Sequence, residues 1–194
     1  MDITIKGVSV KYKNNDSINF KDNIFKDNQI TFITGRNGTG KTTLLKSIAR
    51  LLDFKGEIVG SGTYVAQEPI IFNKSVYENI IYPLRIRKVD ISKYNEKLYY
   101  FTDKLTITHL LKKNATKLSS GEKMKVSIVR SIIFSPDVLL LDEPTTHLDL
   151  QSIDELINLL KELKKNMNII IVSHNKSFID NLIDNEYLLG EENV

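Results

Sequence analysis

Gln29-Ile30-Thr31-Phe32-Ile33-Thr34-Gly35-Arg36-Asn37-Gly38-Thr39-Gly40-Lys41-Thr42-Thr43 (29–43) is the stretch from which the rest of the chain can be read. Its first six residues are rich in β-formers and predict a strand. Gly35 to Gly40 then form a tight loop, and the apolar spacing of Leu44, Leu45, Ile48, Leu51 and Leu52 predicts a helix over 42–52. Strand, glycine loop and helix in that order make a phosphate cradle. Gly35, Gly38 and Gly40 free the backbone, so successive N–H groups of the loop, Arg36, Asn37 and Thr39 included, converge on phosphate oxygens. The helix start adds partial positive charge, and Lys41 adds a full one toward the β and γ phosphates. The Thr42 hydroxyl is suited to ligate Mg²⁺, and Thr43 falls nearer the α-phosphate.

Downstream, Val138-Leu139-Leu140-Leu141-Asp142-Glu143 sets four apolar residues before two acids. An unbroken apolar run reads as a parallel strand covered on both faces, and its carboxylates emerge at the C-terminal end, where open α/β sheets bind ligands. Asp142 is positioned to hold Mg²⁺ through water and Glu143 to polarise an attacking water. These features alone are shared by kinases, GTPases, helicases and other P-loop proteins.

Leu118-Ser119-Ser120-Gly121-Glu122 narrows the choice. Ser119 and Ser120 are good N-cap types ahead of a predicted helix from Glu122 to Phe134. Placed between the glycine loop and the acidic strand, this segment resembles the signature sequence of ATP-binding cassette (ABC) ATPases, and the resemblance covers nearly the whole chain. It departs from the commonest Leu-Ser-Gly-Gly-Gln form at Ser120 and Glu122. The first costs backbone freedom and the second adds negative charge near the loop.

The resemblance implies further roles. Ser119 and Gly121 reach across a dimer interface to ATP held by the partner, and Asp149, in Thr-Thr-His-Leu-Asp, passes between the two sites. Gln67, in Tyr-Val-Ala-Gln-Glu-Pro, joins the Mg²⁺ and water shell. His174, beyond the strand Ile169 to Ser173, contacts the γ-phosphate near Glu143. Tyr12, ending a strand from Ile3, stacks on adenine. His109 reads as a surface residue.

The implied fold is α/β: a P-loop core with a mostly parallel sheet, a trimmed antiparallel β-subdomain, and a helical subdomain inserted at about 68–134, all in one domain over 1–194. Predicted helices there are Val76–Ile86, Tyr94–Leu105 and the signature helix. The core resumes with a helix Leu150–Lys165, a helix Lys176–Ile183 and a strand Glu186–Leu189.

At 194 residues and 41% hydrophobic content the chain has one good core's worth of material. A net charge of +3, with basic and acidic residues interspersed, does not call for nucleic acid. The absence of cysteine excludes disulfides and cysteine metal sites. Apolar runs of about four residues fall far short of the about 20 that span a bilayer, and no signal sequence precedes the first strand. The expected protein is cytoplasmic and held on the inner face of the cell membrane only through partners.

The expected function is the ATP-hydrolysing subunit of an ABC transporter, a homodimer or heterodimer around two ATP that drives transmembrane permease subunits. Val76-Tyr77-Glu78-Asn79-Ile80 and Pro83-Leu84 resemble transporter ATPases, with Pro69, Ile70, Ile71, Phe72 and Tyr77 lining a groove for the membrane partner. A soluble ABC protein acting on ribosomes or chromosomes is the alternative. Its translation branch usually has tandem cassettes and its chromosome branch long coiled-coil insertions, whereas about 76 residues separate Lys41 from Leu118. A metabolite kinase leaves the signature, Gln67 and His174 unexplained.

Overall fold

The computed structural model describes residues 1–12 and 17–190. In β1 (Ile3–Lys11) the buried positions are Ile3 and Ile5, then Val8 and Val10. Period-two alternation forbids that change of parity unless one residue is inserted. Gly7 is that residue: its φ is 55°, and the pairing register shifts between Lys6 and Ser9. The bulge keeps one face of β1 on the core along its whole length. β2 (Ser17–Asn19), β3 (Asn23–Phe25) and a later strand, β5 (Lys55–Val59), all pair antiparallel with β1.

Between them β4 (Ile30–Gly35) enters a second, all-parallel sheet with β6 (Thr63–Val65), β7 (Val138–Asp142), β8 (Asn168–Val172) and β9 (Asn185–Leu189), ordered β6-β7-β8-β4-β9. β7 and β8 are buried at every position, as strands covered on both faces must be. Ile33, Val138, Leu140, Ile170 and Val172 face the antiparallel sheet and α1 (Lys41–Ile48). Ile30, Phe32, Leu139, Leu141, Ile169 and Ile171 face the remaining helices. Those are α2 (Val76–Ile86), α3 (Asn95–Lys104), α4 (Ser120–Ile132), α5 (Leu150–Leu163) and α6 (Lys176–Leu182), with α2 to α4 lying between β6 and β7. Buried Asn168 joins the two sheets by donating from Nδ2 to Phe25 O at 2.8 Å.

Local chemistry sets the helix ends. α1 stops at Ile48 rather than at the expected Leu52. Arg50 takes a left-handed φ of 61°, Leu51 N–H donates to Lys46 O at 2.8 Å, and Arg50 N–H donates to Ser47 O at 3.0 Å. This pairing of bonds terminates helices, with arginine here in the position glycine commonly fills. α2 has the expected bounds, fixed by a Ser75–Glu78 capping box. α3 starts one residue later than Tyr94, which belongs to a preceding 3₁₀ turn, Ile91–Tyr94, capped by Asp90.

Candidate active site

The C-terminal ends of β4, β7 and β8 bring Gly35, Asp142 and Val172 to one rim of the parallel sheet. The loop from Gly35 to Gly40 wraps this rim and needs its glycines for two separate reasons. A Cβ on Gly35 would sit 2.3 Å from Leu189 O, so β9 closes against the loop too tightly for any side chain. Gly40 adopts φ 98° as the N-cap of α1, a conformation that opens the helix start without a Cβ clash.

Lys41 is only 7% exposed, and its Nζ donates to Gly35 O at 2.8 Å and to Arg36 O at 2.9 Å. Burial holds its pKa below the usual lysine range, against the opposing pull of Glu143 and Asp142. Thr39 braces the loop by donating from Oγ1 to Arg36 O at 3.0 Å. The Thr43 hydroxyl pairs with the hydroxyl of Tyr12.

Asp142 is buried, and both carboxylate oxygens are engaged. Oδ1 accepts from the Thr42 hydroxyl at 3.1 Å and Oδ2 from the Tyr64 hydroxyl at 2.7 Å. Glu143 follows in a left-handed conformation, φ 49°, held as its N–H donates to Val172 O at 2.8 Å. Its Oε2 accepts from the His174 N–H at 3.2 Å, and its Oε1 lies 3.3 Å from His174 Nε2. Burial raises the Glu143 pKa, and Asp142 adds to the rise, while His174 and Lys41 oppose it.

Tyr12, Asn37, Gly38, Gly40, Lys41, Thr42, Thr43, Gln67, Asp142, Glu143 and His174 line one open cleft of about 900 Å³. Gly35, Arg36 and Thr39 belong to the same loop but are not among the residues that line the cleft. Among the described residues no three His, Cys, Asp or Glu side chains converge as a preformed metal cage.

Ser119, Gly121 and Asp149 are not in that cleft. They line a second one, of about 420 Å³, with His109, Glu122, Lys125, His147 and Glu155. Here the Ser119 Oγ accepts from Glu122 N–H at 3.2 Å, while Glu122 Oε2 accepts from Ser119 N–H at 2.7 Å. The negative charge that Glu122 brings is therefore turned back onto its own helix start, and its pKa is lowered, first by the Ser119 backbone bond. Asp149 caps α5 by accepting from Ser152 N–H at 2.8 Å. A Cβ on Gly121 would meet His147 O at 2.6 Å, so α4 and the loop before α5 touch backbone to backbone. Lys125 and Glu155 form a 2.8 Å ion pair between the two helices. His109 is exposed, as expected, yet borders this second cleft.

Sequence reasoning missed Tyr64. A tyrosine in a short strand carries no signal of its own; the parallel register Tyr64↔Leu140 sets it on the face of β7 that also bears Asp142.

A family model described as ABC transporter matches residues 18–146. The chain is 32% identical over 207 residues to the tungstate uptake system ATP-binding protein TupC of Peptoclostridium acidaminophilum, covering 100% of this chain and 97% of that protein. It is 36% identical over 153 residues to the molybdate/tungstate import ATP-binding protein WtpC of Methanocaldococcus jannaschii, covering 71% of this chain and 52% of that longer protein. Among solved structures it resembles cbiO1 from Clostridium perfringens, part of the ABC transporter complex cbiONQ, with a TM-score of 0.83 and 26% identity over 97% of this chain and 84% of that one. No helix among the described residues is long and apolar enough to cross a membrane.

Proposed function

The chain belongs to the ABC transporter family, and from that premise we propose that it is the ATP-hydrolysing subunit of a membrane importer, working as one of two ATPase protomers closed around two ATP molecules. The observation that carries this reading is the separation of the two clefts: the phosphate loop lines one and the signature residues the other. Neither cleft holds a full set of groups, so a second protomer, identical or related, supplies Ser119, Gly121 and Asp149 to the first cleft. Import as the direction draws support from the uptake and import relatives.

In the proposed cycle the Tyr12 ring stacks on adenine, a contact tolerant of base identity. Lys41 gives up the carbonyls of Gly35 and Arg36 for the β and γ phosphates, and the N–H groups of the loop from Gly35 to Thr43 hold the remaining oxygens. The hydroxyl of Thr42, the carboxylate of Asp142 and the amide oxygen of Gln67 are hard oxygen donors, few in number, which suits Mg²⁺, an ion that keeps waters and takes phosphate ligands. When bound, Mg²⁺ neutralises charge developing on the phosphates. Glu143 polarises the attacking water, its raised pKa favouring proton acceptance, and His174 orients that carboxylate. Closure of the second protomer excludes bulk water.

Residues about 68–134 act as the helical subdomain that carries the signature and meets the permease. Ile70, 74% exposed, with the Phe72 and Tyr82 rings tilted against each other at 4.5 Å between centroids, offers the membrane partner an apolar surface, while Tyr77 is packed inward. The chain reaches the inner face of the cell membrane through that contact.

The Glu143→Gln variant keeps the acceptor for the His174 N–H but loses the base. Hydrolysis falls by about 10²–10⁴-fold, while ATP binding persists and ATP-bound dimers accumulate in size-exclusion runs. Hydrolysis at the wild-type rate would remove Glu143 from the reaction. Pull-down of this variant with ATP from detergent-solubilised cells recovers a polytopic membrane protein; recovery of ribosomes or chromosomal proteins instead overturns the transport reading.

A further inference from the structure

Asp142 has two oxygens, and its neighbours divide them. Oδ1 faces the Thr42 hydroxyl at 3.1 Å and Oδ2 the Tyr64 hydroxyl at 2.7 Å, with the residue 3% exposed. A buried carboxylate left to one partner rotates about its terminal torsion, since that torsion is broad and nearly two-fold. A second donor on the other oxygen removes this freedom.

We propose that Tyr64 is a positioning residue for metal binding: its hydroxyl pins Oδ2 of Asp142 so that Oδ1 stays turned to Thr42. The Thr42 proton is then committed to Asp142, and the lone pairs of its oxygen are free to face a cation. The inference rests on the nucleotide-site reading above and adds to it a residue that never touches the nucleotide.

Three features support it. Tyr64 and Leu140 are register partners in parallel strands, so Asp142, two residues past Leu140, lies on the same face of the sheet and within reach of a side chain as long as tyrosine. The Tyr64 ring is packed against the core cluster between the two sheets, which fixes the direction in which the hydroxyl points. Gln67 follows three residues later on the same chain segment, so the hydroxyl also anchors the root of a second proposed metal ligand to the first. A hydrogen bond to an ionised acceptor is among the stronger kinds, so its removal is measurable.

The test titrates Mn²⁺ against wild type and Tyr64→Phe with the non-hydrolysable analogue AMP-PNP present, following free Mn²⁺ by electron paramagnetic resonance. The phenylalanine keeps the packed ring and deletes only the hydroxyl. The expected result is an apparent Mn²⁺ dissociation constant raised by about three- to tenfold. Metal-free AMP-PNP affinity, measured in EDTA, stays unchanged. In an Asp142→Asn background the same substitution changes little, because its effect runs through that carboxylate. Equal Mn²⁺ affinity in wild type and Tyr64→Phe overturns the inference. So does a loss of metal-free affinity as large as the loss of metal affinity, or an undiminished effect in the Asp142→Asn background. Should Tyr64→Phe fail to fold, the ring's hydroxyl is structural to the core and the inference likewise falls. If wild type itself takes up no Mn²⁺ with AMP-PNP, it is the nucleotide-site reading that fails.

Discussion

Replacing Gly121 with alanine ought to be harmless by helix chemistry and harmful by packing. Gly121 lies in the first turn of α4 without a positive φ, so alanine is allowed there and in a helix interior is favoured by about 1 kcal/mol, less in a first turn. Its Cβ, however, would stand 2.6 Å from His147 O and 3.5 Å from Leu148 Cδ2. Carbon–oxygen contacts begin at about 3.3 Å, so the loop carrying His147, Leu148 and Asp149 has to withdraw by roughly 0.7 Å. Overpacking of this kind costs about 1–3 kcal/mol. Less a first-turn helix preference of about 0.5 kcal/mol, the net loss is about 0.5–2.5 kcal/mol, a fall in melting temperature of roughly 1–10 °C for a chain of this size. Scanning calorimetry of Gly121→Ala against Ser120→Ala, an exposed neighbour in the same turn, separates packing from propensity. In the same variant ATPase activity falls more than ATP affinity, because the second cleft is altered and the first is not. A Gly121→Ala protein that melts at or above wild type would refute the reasoning, since the backbone contact would then be slack in solution.

Two further substitutions probe the site and its support. Lys41→Ala removes the one buried cation of the loop and is expected to weaken ATP binding by roughly 10–100-fold, the worth of a charged hydrogen-bond donor; unchanged binding of a fluorescent ATP analogue counts against the loop as phosphate cradle. Glu155→Gln tests the ion pair in the wall of the second cleft. Burial pushes the Glu155 carboxyl up, but hydrogen bonds from Lys125, Thr106 and Gln151 and the Lys125 charge outweigh it and leave the pKa lowered. A lowered folded-state pKa gives stability that is present above the unfolded carboxylate value and lost as pH falls through the folded one. Wild type therefore melts above Glu155→Gln at pH 7, and the gap closes as pH drops below about 4; a gap of the same size at pH 3.5 and pH 7 refutes the ion-pair argument.

The sequence carried the parallel core and the phosphate loop because their signals are local. β-Branched and leucine runs, glycines at fixed offsets and caps such as Ser75 and Ser119 act within a few residues of where they stand. Three things were not legible. The end of α1 depended on Arg50 adopting a left-handed conformation that its side chain does not advertise. The bulge at Gly7 left only a parity change among isoleucines and valines. The part of Tyr64 in holding Asp142 arises from strand register across 78 residues, which no local pattern records. The separation of Ser119, Gly121 and Asp149 from the phosphate loop was expected from the family resemblance and not from any local pattern; the packing of α4 and α5 sets them in a second cleft.

The hold of Lys41 on the Gly35 and Arg36 carbonyls bears on how a ligand is greeted. The ammonium acts as an internal template: it gathers the loop around a charge before any anion arrives, so much of the ordering is completed during folding. In the proposed cycle nucleotide entry is then an exchange of oxygens around a cation already in place, and departure reverses the exchange without the loop having to come apart. A cradle preorganised in this way gives up little entropy on capture. It also regains its resting contacts once the phosphates leave, the property a site needs if it is to be emptied and refilled at every turn of a cycle.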